Sequence, residues 1–216
     1  GGGLKADYWT DTFYIQGLFG ATSFSGTQKR SLVAIGTGLG GSETMSGDKS
    51  VDSFVGAIRA GVPMQIGDFY LEPQAQATWS SNNEHSFNED GSGNYSLKYK
   101  SRQTNFLDTE LGIKLARPIS NGENKLIVPS LRVAWLANWN QDNEDQTIGY
   151  NFTDKTIDLQ SIQEDSHGAL IEAGIDYTIS NLNAGSLKIY ARGGAEVWGN
   201  ERGVNWLGSG GVTFQF

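Results

Sequence analysis

The stretch Phe69-Tyr70-Leu71-Glu72-Pro73-Gln74-Ala75-Gln76-Ala77-Thr78-Trp79-Ser80 decides the fold. Its odd positions are Phe69, Leu71, Pro73, Ala75, Ala77 and Trp79, and its even positions are Tyr70, Glu72, Gln74, Gln76, Thr78 and Ser80. Side chains alternate across an extended chain, so this segment is a strand with one apolar face and one polar, partly charged face.

The same pattern recurs along the chain. Ile127, Pro129, Leu131, Val133, Trp135, Ala137 and Trp139 share a face opposite Ser130, Arg132, Ala134 and Asn138. Leu107, Leu111, Ile113 and Leu115 oppose Asp108, Glu110 and Lys114, and Ile171, Ala173, Ile175, Tyr177 and Ile179 oppose Glu172, Asp176 and Thr178. Leu187, Ile189, Ala191 and Val197 oppose Lys188, Tyr190, Arg192 and Glu196, while Phe54, Ile58 and Val62 oppose Arg59.

A soluble β-sandwich also alternates, but three features favour a membrane barrel. The segments run to about 12 residues, against ~5–6 in soluble sheets and ~9–11 for a tilted bilayer crossing. Trp79, Trp135, Trp139 and Trp206 lie on apolar faces, mostly near strand ends, as an interfacial girdle requires. Short links (Gly67-Asp68, Ser120 to Asn124, Asn181 to Gly185) alternate with long polar ones (Ser81 to Tyr95, Asn140 to Ser166), the asymmetry of periplasmic turns and external loops. The fold class is therefore all-β, a transmembrane antiparallel up-and-down barrel.

Composition agrees. The chain has 216 residues, with 29 Gly, 4 Pro, 11% aromatics and 38% hydrophobics. No run approaches the ~18 apolar residues of a membrane-spanning helix. A net charge of −8 argues against a nucleic-acid partner. Without cysteine there are no disulfides, thiolate metal sites or Cys nucleophiles, and no cofactor is expected. Residues 1–11, opening Gly1-Gly2-Gly3, read as an N-terminal stub left by processing or cloning, and 12–216 as the barrel domain. Strands are expected at 51–66, 69–81, 99–119, 125–140, 166–180, 186–199 and 203–216. The stretch 12–40 is either one long strand, giving eight, or a hairpin near Ser25 to Lys29. The hairpin would call for a tenth strand from Leu4 to Thr10, because closure requires an even number.

The chain ends Ser209-Gly210-Gly211-Val212-Thr213-Phe214-Gln215-Phe216. Ser209, Gly211, Phe214 and Phe216 resemble the β-signal read by the barrel-assembly machinery. Phe69 to Gln76, preceded by Ser53-Phe54-Val55-Gly56-Ala57-Ile58-Arg59-Ala60-Gly61, resembles the autotransporter β-domain, the translocator of type V secretion. Leu111 to Leu115, Pro129 to Trp135, Ala173 to Ile175 and Leu187 to Ala191 extend the likeness over Thr12 to Phe216. The resemblance implies an outer-membrane barrel in a Gram-negative envelope, in contact with membrane lipid and lipopolysaccharide, that anchors and exports or displays a passenger. Family barrels have twelve strands and a helix in the pore. This chain supplies about eight, and Gly1 to Asp11 lacks helical periodicity, so it reads as a C-terminal portion or a shortened relative. A stand-alone barrel with a structural or adhesive role through its loops is the alternative, followed by a rim-active enzyme.

The alternation places Arg59, Lys114, Arg132, Lys188 and Arg192 inside with Glu72, Asp108, Glu110, Glu172, Asp176 and Glu196. Near-balanced charges that are removed from water must pair, so a lumenal ion network is expected, and a hydrated path is the functional alternative. Ser166-His167 beside Glu164-Asp165 suggests a Ser/His/acid cluster, but adjacent strand residues face opposite ways. His85 and the acidic stretches 84–90, 142–145 and 154–165 read as solvated loop, and 142–145 lacks the glycine and spacing of a calcium loop.

Overall fold

Alternating segments joined by short turns pair with their neighbours in chain order, and the computed structural model shows that meander. It describes residues 1–33, 42–91, 95–139, 143–161, 164–182, 185–200 and 202–215. The strands are β1 (Gly2–Trp9), β2 (Tyr14–Val33), β3 (Ser42–Gly61), β4 (Met64–Ile66), β5 (Phe69–Glu84), β6 (Phe87–Asn88), β7 (Leu97–Tyr99) and β8 (Arg102–Ala116). They continue with β9 (Ile119–Ser120), β10 (Lys125–Trp139), β11 (Gln146–Tyr150), β12 (Thr156–Leu159), β13 (Ser166–Leu182), β14 (Gly185–Trp198) and β15 (Gly203–Gln215).

The main sheet runs β1-β2-β3-β5-β8-β10-β13-β14-β15, antiparallel throughout, and curls into a half-barrel. Among the described residues no ladder joins β1 to β15. β4 and β9 continue β3 and β8 beyond two interruptions, at Val62-Pro63 and Arg117-Pro118. Register is the same on both sides of each break. Pro73 lies opposite the first break and Pro129 opposite the second, where Val62 and Arg117 donate their N–H to Pro73 O (3.0 Å) and Pro129 O (3.1 Å). A proline has no N–H to give a ladder, so the sheet loses pairing there but keeps its path.

Two expectations are refined. The stretch 12–40 holds one long strand, since Tyr14 to Val33 pairs in unbroken register with β3, and there is no hairpin at Ser25 to Lys29. The eight expected strands are joined by a ninth, β1, where a stub was expected; it pairs with β2 from Gly2↔Ala21 to Trp9↔Tyr14. Two of its eight residues, Gly2 and Gly3, carry no side chains, which shortens the alternation visible in the sequence.

The outward face of the sheet carries Leu111 (61% exposed), Val133 (49%) and Ile171 (58%). On β5 this band runs from Phe69 to Trp79 and gives way to Ser81 and Asn83, about 34 Å of strand, or roughly 25 Å of bilayer at a tilt of ~45°. The inward face is not wholly polar. Ala134, Leu136 and Leu170 are buried there, packed against Trp198 and Leu207. The short turns lie at one end of the sheet, with Gly67 and Gly122 at φ 60° and 93°, values that favour glycine.

At the opposite end the chain forms a second sheet, β12-β11-β7-β6. The long connections, expected as polar loop, thus contain strands of their own. This cap packs on the inward face of the β2–β3 hairpin, which rises beyond the apolar band. Ser46 and Asp90 bridge the two, Met45 is fully buried, and Phe87 stacks on Tyr99 at 4.4 Å.

Candidate functional site

The inward face is the candidate site, and strand register assembles it. Glu72, Lys114, Arg132 and Glu172 occupy one row across β5, β8, β10 and β13. Arg132 donates from Nη1 to Glu110 (3.0 Å), and its Nε lies 3.4 Å from Glu172, an ion pair without hydrogen-bond alignment. Gln74, buried on β5, donates to Glu110 at 3.2 Å and accepts from Arg59. Arg59 also lies 3.9 Å from Glu72, which accepts a 2.6 Å hydrogen bond from the Tyr14 hydroxyl. The result is a continuous polar chain, Tyr14–Glu72–Arg59–Gln74–Glu110–Arg132–Glu172, that crosses six strands from β2 to β13.

A second cluster sits on β13 and β14, where Asp176 meets Lys188 at 3.0 Å and Arg192 at 4.0 Å. Three inward charges stand apart from these pairs. Asp108 accepts from Asn138 (2.7 Å), Glu196 accepts from the Trp198 indole (3.0 Å), and Lys114 makes no ion pair among the described residues. Sequence reasoning missed Tyr14, and it placed Gln74 on the inward face without a part in the ion network. Tyr14 fits because Gly61 lies opposite it: a Cβ at Gly61 would come within 2.5 Å of the Tyr14 hydroxyl oxygen. A lone glycine on a strand does not show which aromatic side chain will cross it.

Above the apolar band lies a buried ion pair that no local pattern marks. Arg30 grips Glu89 with two hydrogen bonds, at 3.0 and 2.6 Å, and donates a third to the Tyr95 carbonyl. Glu89, whose side chain is fully buried, also accepts from the Leu97 N–H (2.9 Å), and Asn151 donates to its carbonyl. Burial pushes the Glu89 carboxyl up, but the Arg30 and Leu97 donors outweigh it and hold it below the ordinary range. The same balance holds for Glu84, buried yet lowered by Lys49 (2.8 Å) and Arg102 (2.7 Å).

Ser166 and His167 do not act together. Ser166 points inward and is buried, while His167 faces out and stacks on Trp135 at 5.6 Å, with Trp139 edge-on. His85 pairs with Asp52 at 2.8 Å on the outward face beyond the apolar band. Among the described residues no group of three or more His, Asp or Glu is placed to hold a metal; Asp142 lies outside them. Of the terminal signal, Ser209 and Gly211 face inward opposite Arg192 and Tyr190, and Phe214 faces outward opposite Leu187. Phe216 lies outside the described residues.

An antiparallel meander with an apolar outward band and an ionic inward face defines a transmembrane β-barrel domain. Sequence comparison places it more closely: the Autotransporter beta-domain family matches residues 1–187, and the chain belongs to that family. The match begins with β1 and ends within β14, so the strand assigned to the N-terminal stub lies inside the matched stretch. No curated protein matches the chain in sequence. The family is one of translocator barrels in the Gram-negative outer membrane.

Proposed function

We propose that this chain sits in the outer membrane as the translocator of an autotransporter, with its short turns in the periplasm and its second sheet outside, and that it exports or displays a passenger. The continuous polar chain from Tyr14 to Glu172 is the observation that carries this reading. Five neighbouring strands, β3 to β13 along the main sheet, turn paired charges inward, and such a wall lets a hydrated polypeptide pass without strong retention at any one charge. The test joins a protease-sensitive reporter ahead of Gly1 and follows it in intact cells. Reporter cleavage by external protease is the expected result, and a reporter that stays protected while the barrel inserts normally overturns export.

Insertion is proposed to depend on the barrel-assembly machinery reading Ser209, Gly211, Phe214 and Phe216, in a membrane whose lipid and lipopolysaccharide contact the outward band. Replacing Phe214 and Phe216 with Ala is expected to leave protein in the periplasm, whereas Phe54→Ala inserts. Equal insertion of the two overturns the signal.

A stand-alone barrel acting through its external face is the second reading. The folded outer sheet favours it, because strands β6, β7, β11 and β12 build a shaped surface rather than loose loop. Protection of the reporter with normal insertion would favour this role.

A further inference from the structure

At the long-loop end, lined by none of the residues that hold the Arg30–Glu89 pair, lies a cleft of about 560 Å³. Its floor is the inward face of β8, β10 and β13 near their long-loop ends, and Asn143, Ser161 and Glu164 line it from between β10 and β13. Arg102, Asn138, Ser161, Ser166, Asn200 and Arg202 supply the polar wall, and Phe106 an apolar one.

The hydrogen-bond accounting of this wall is unusual. Four buried side-chain polar atoms have no partner among the described residues, and two of them, Arg102 Nε and Ser166 Oγ, belong to this cleft. Ser166 is only 1% exposed, where a hydroxyl without a partner costs free energy. Arg202 adds further donors. It makes no ion pair with a described residue, and among the described residues its side chain is held only by a 3.3 Å bond to the Asn138 oxygen and by the Trp198 ring 5.7 Å away. The two carboxylates among the described residues of the cleft do not supply the missing acceptors. Glu84 is already shared by Lys49 and Arg102, and Glu164 is exposed at the rim.

We propose that this cleft binds a carboxylate-bearing sugar, its carboxylate on the guanidinium of Arg202 and its oxygens on the unpartnered donors of Arg102 and Ser166. A planar guanidinium matches a carboxylate in geometry as well as charge. Asn200 and Ser161 already donate to the Asp165 carbonyl (2.8 Å) and the Glu144 carbonyl (2.7 Å), and Asn138 donates to Asp108 and accepts from Arg202. Their remaining oxygen lone pairs suit sugar hydroxyls as donors, and Phe106 suits the apolar face of a pyranose ring. The volume accommodates one or two sugar units and falls within the usual range for small-ligand sites, ~300–1,000 Å³. A peptide carboxylate would satisfy Arg202 but leave the hydroxyl-rich wall without a matching partner.

Two sources carry such sugars: the acidic inner core of lipopolysaccharide and acidic glycans on other cells. The test titrates the full chain in detergent micelles with 3-deoxy-octulosonic acid, N-acetylneuraminic acid and galacturonic acid. Methyl galactoside and an acidic tetrapeptide serve as comparisons. Saturable binding of at least one acid is expected, with Arg202→Gln weakening it about tenfold or more, the scale of one charge-assisted hydrogen bond. Ser166→Ala should weaken binding severalfold without lowering thermal stability, which separates a ligand role from a packing role. Preference for the octulosonic acid identifies the cell's own envelope as the source, and preference for N-acetylneuraminic acid identifies foreign glycans. The proposal is overturned if no acid binds, if methyl galactoside binds as well as the acids, or if the peptide displaces them. Unchanged affinity in Arg202→Gln, with unaltered heat-modifiable mobility to show that it folds, overturns it too.

Discussion

The main sheet and the cap are both antiparallel β-structure, yet different forces hold them. Across the apolar band the sheet presents side chains such as Leu111 and Ile171 outward, each more than half exposed in the isolated molecule. Burying that surface is left to lipid, while its inward charges pair in rows. The cap has little lipid to lean on and keeps its strands short, two to five residues each. It is held instead by a buried ion pair and its hydrogen bonds. The sheet therefore tolerates the loss of one inward contact better than the cap tolerates the loss of Glu89.

The largest effect expected follows from that contrast. Glu89→Ala leaves Arg30 half-buried without its anion and removes the acceptor for the Leu97 N–H. Removing one partner of a buried pair costs about 3–5 kcal/mol. Hydrogen exchange should show loss of protection in Leu97 to Tyr99 and Gln146 to Tyr150, while the main sheet stays protected. Acid should do the same. The folded Glu89 carboxyl is held below its ordinary value of 4.5, so its stabilising contribution is full above that value and is lost as pH falls through the lower folded one. Cap opening that sets in only above pH 5 would break the comparison, as would an intact cap in Glu89→Ala.

The two regions also differ in how far they can be read from the sequence. Period-two alternation is local, so Leu71, Pro73 and Ala75 declare their face within a few residues, and register then brings Glu72, Lys114, Arg132 and Glu172 into one row without further information. β1 escaped notice because Gly2 and Gly3 offer no side chains to alternate. Leu136 and Leu170 break the pattern by turning apolar groups inward, where they pack with Trp198 and Leu207. The cap was illegible for a different reason. Arg30 and Glu89 are 59 residues apart, and Asn151 joins them from a third connection. No periodicity links such residues; only the fold does.

The next effect in size tests the lipid side of the comparison. Val133 sits halfway along the outward band, in the row of Pro73, Ile113 and Ile171. Val133→Arg should destabilise the inserted barrel by about 2–4 kcal/mol, measured by reversible unfolding in lipid vesicles. The same change at Asn83, outward but beyond the band, should cost far less. Equal costs would mean that the band does not meet the hydrocarbon core.

Smaller again is the coupling inside the inward network. Arg132→Met and Glu110→Gln each break the 3.0 Å pair, and the double mutant removes both charges together. A coupling of about 0.5–3 kcal/mol is expected, with the double mutant recovering part of the loss. Arg132 has a second carboxylate in Glu172, which holds the coupling to any single partner at the low end. Strict additivity with both Glu110 and Glu172 would show that the row is an array of independent charges and not a network.

The smallest effect isolates burial from distance. Asp52 and His85 lie 2.8 Å apart, close to the 2.6 Å of Arg30 and Glu89, but side-chain exposure is 39% and 48% in the first pair against 0% for Glu89. Hydrogen bonds from His85 and Ser23 hold the Asp52 carboxyl below its ordinary range, so protonating it at low pH would weaken the contact. Water solvates either ion once the pair is broken, and exposed pairs of this kind contribute little to folding. Asp52→Asn should therefore leave the thermal unfolding midpoint at pH 7 unchanged within error and preserve hydrogen-exchange protection in the cap. A loss of protection like that of Glu89→Ala would mean that contact distance, and not exclusion of water, sets the value of a charge pair at the outer end of this sheet.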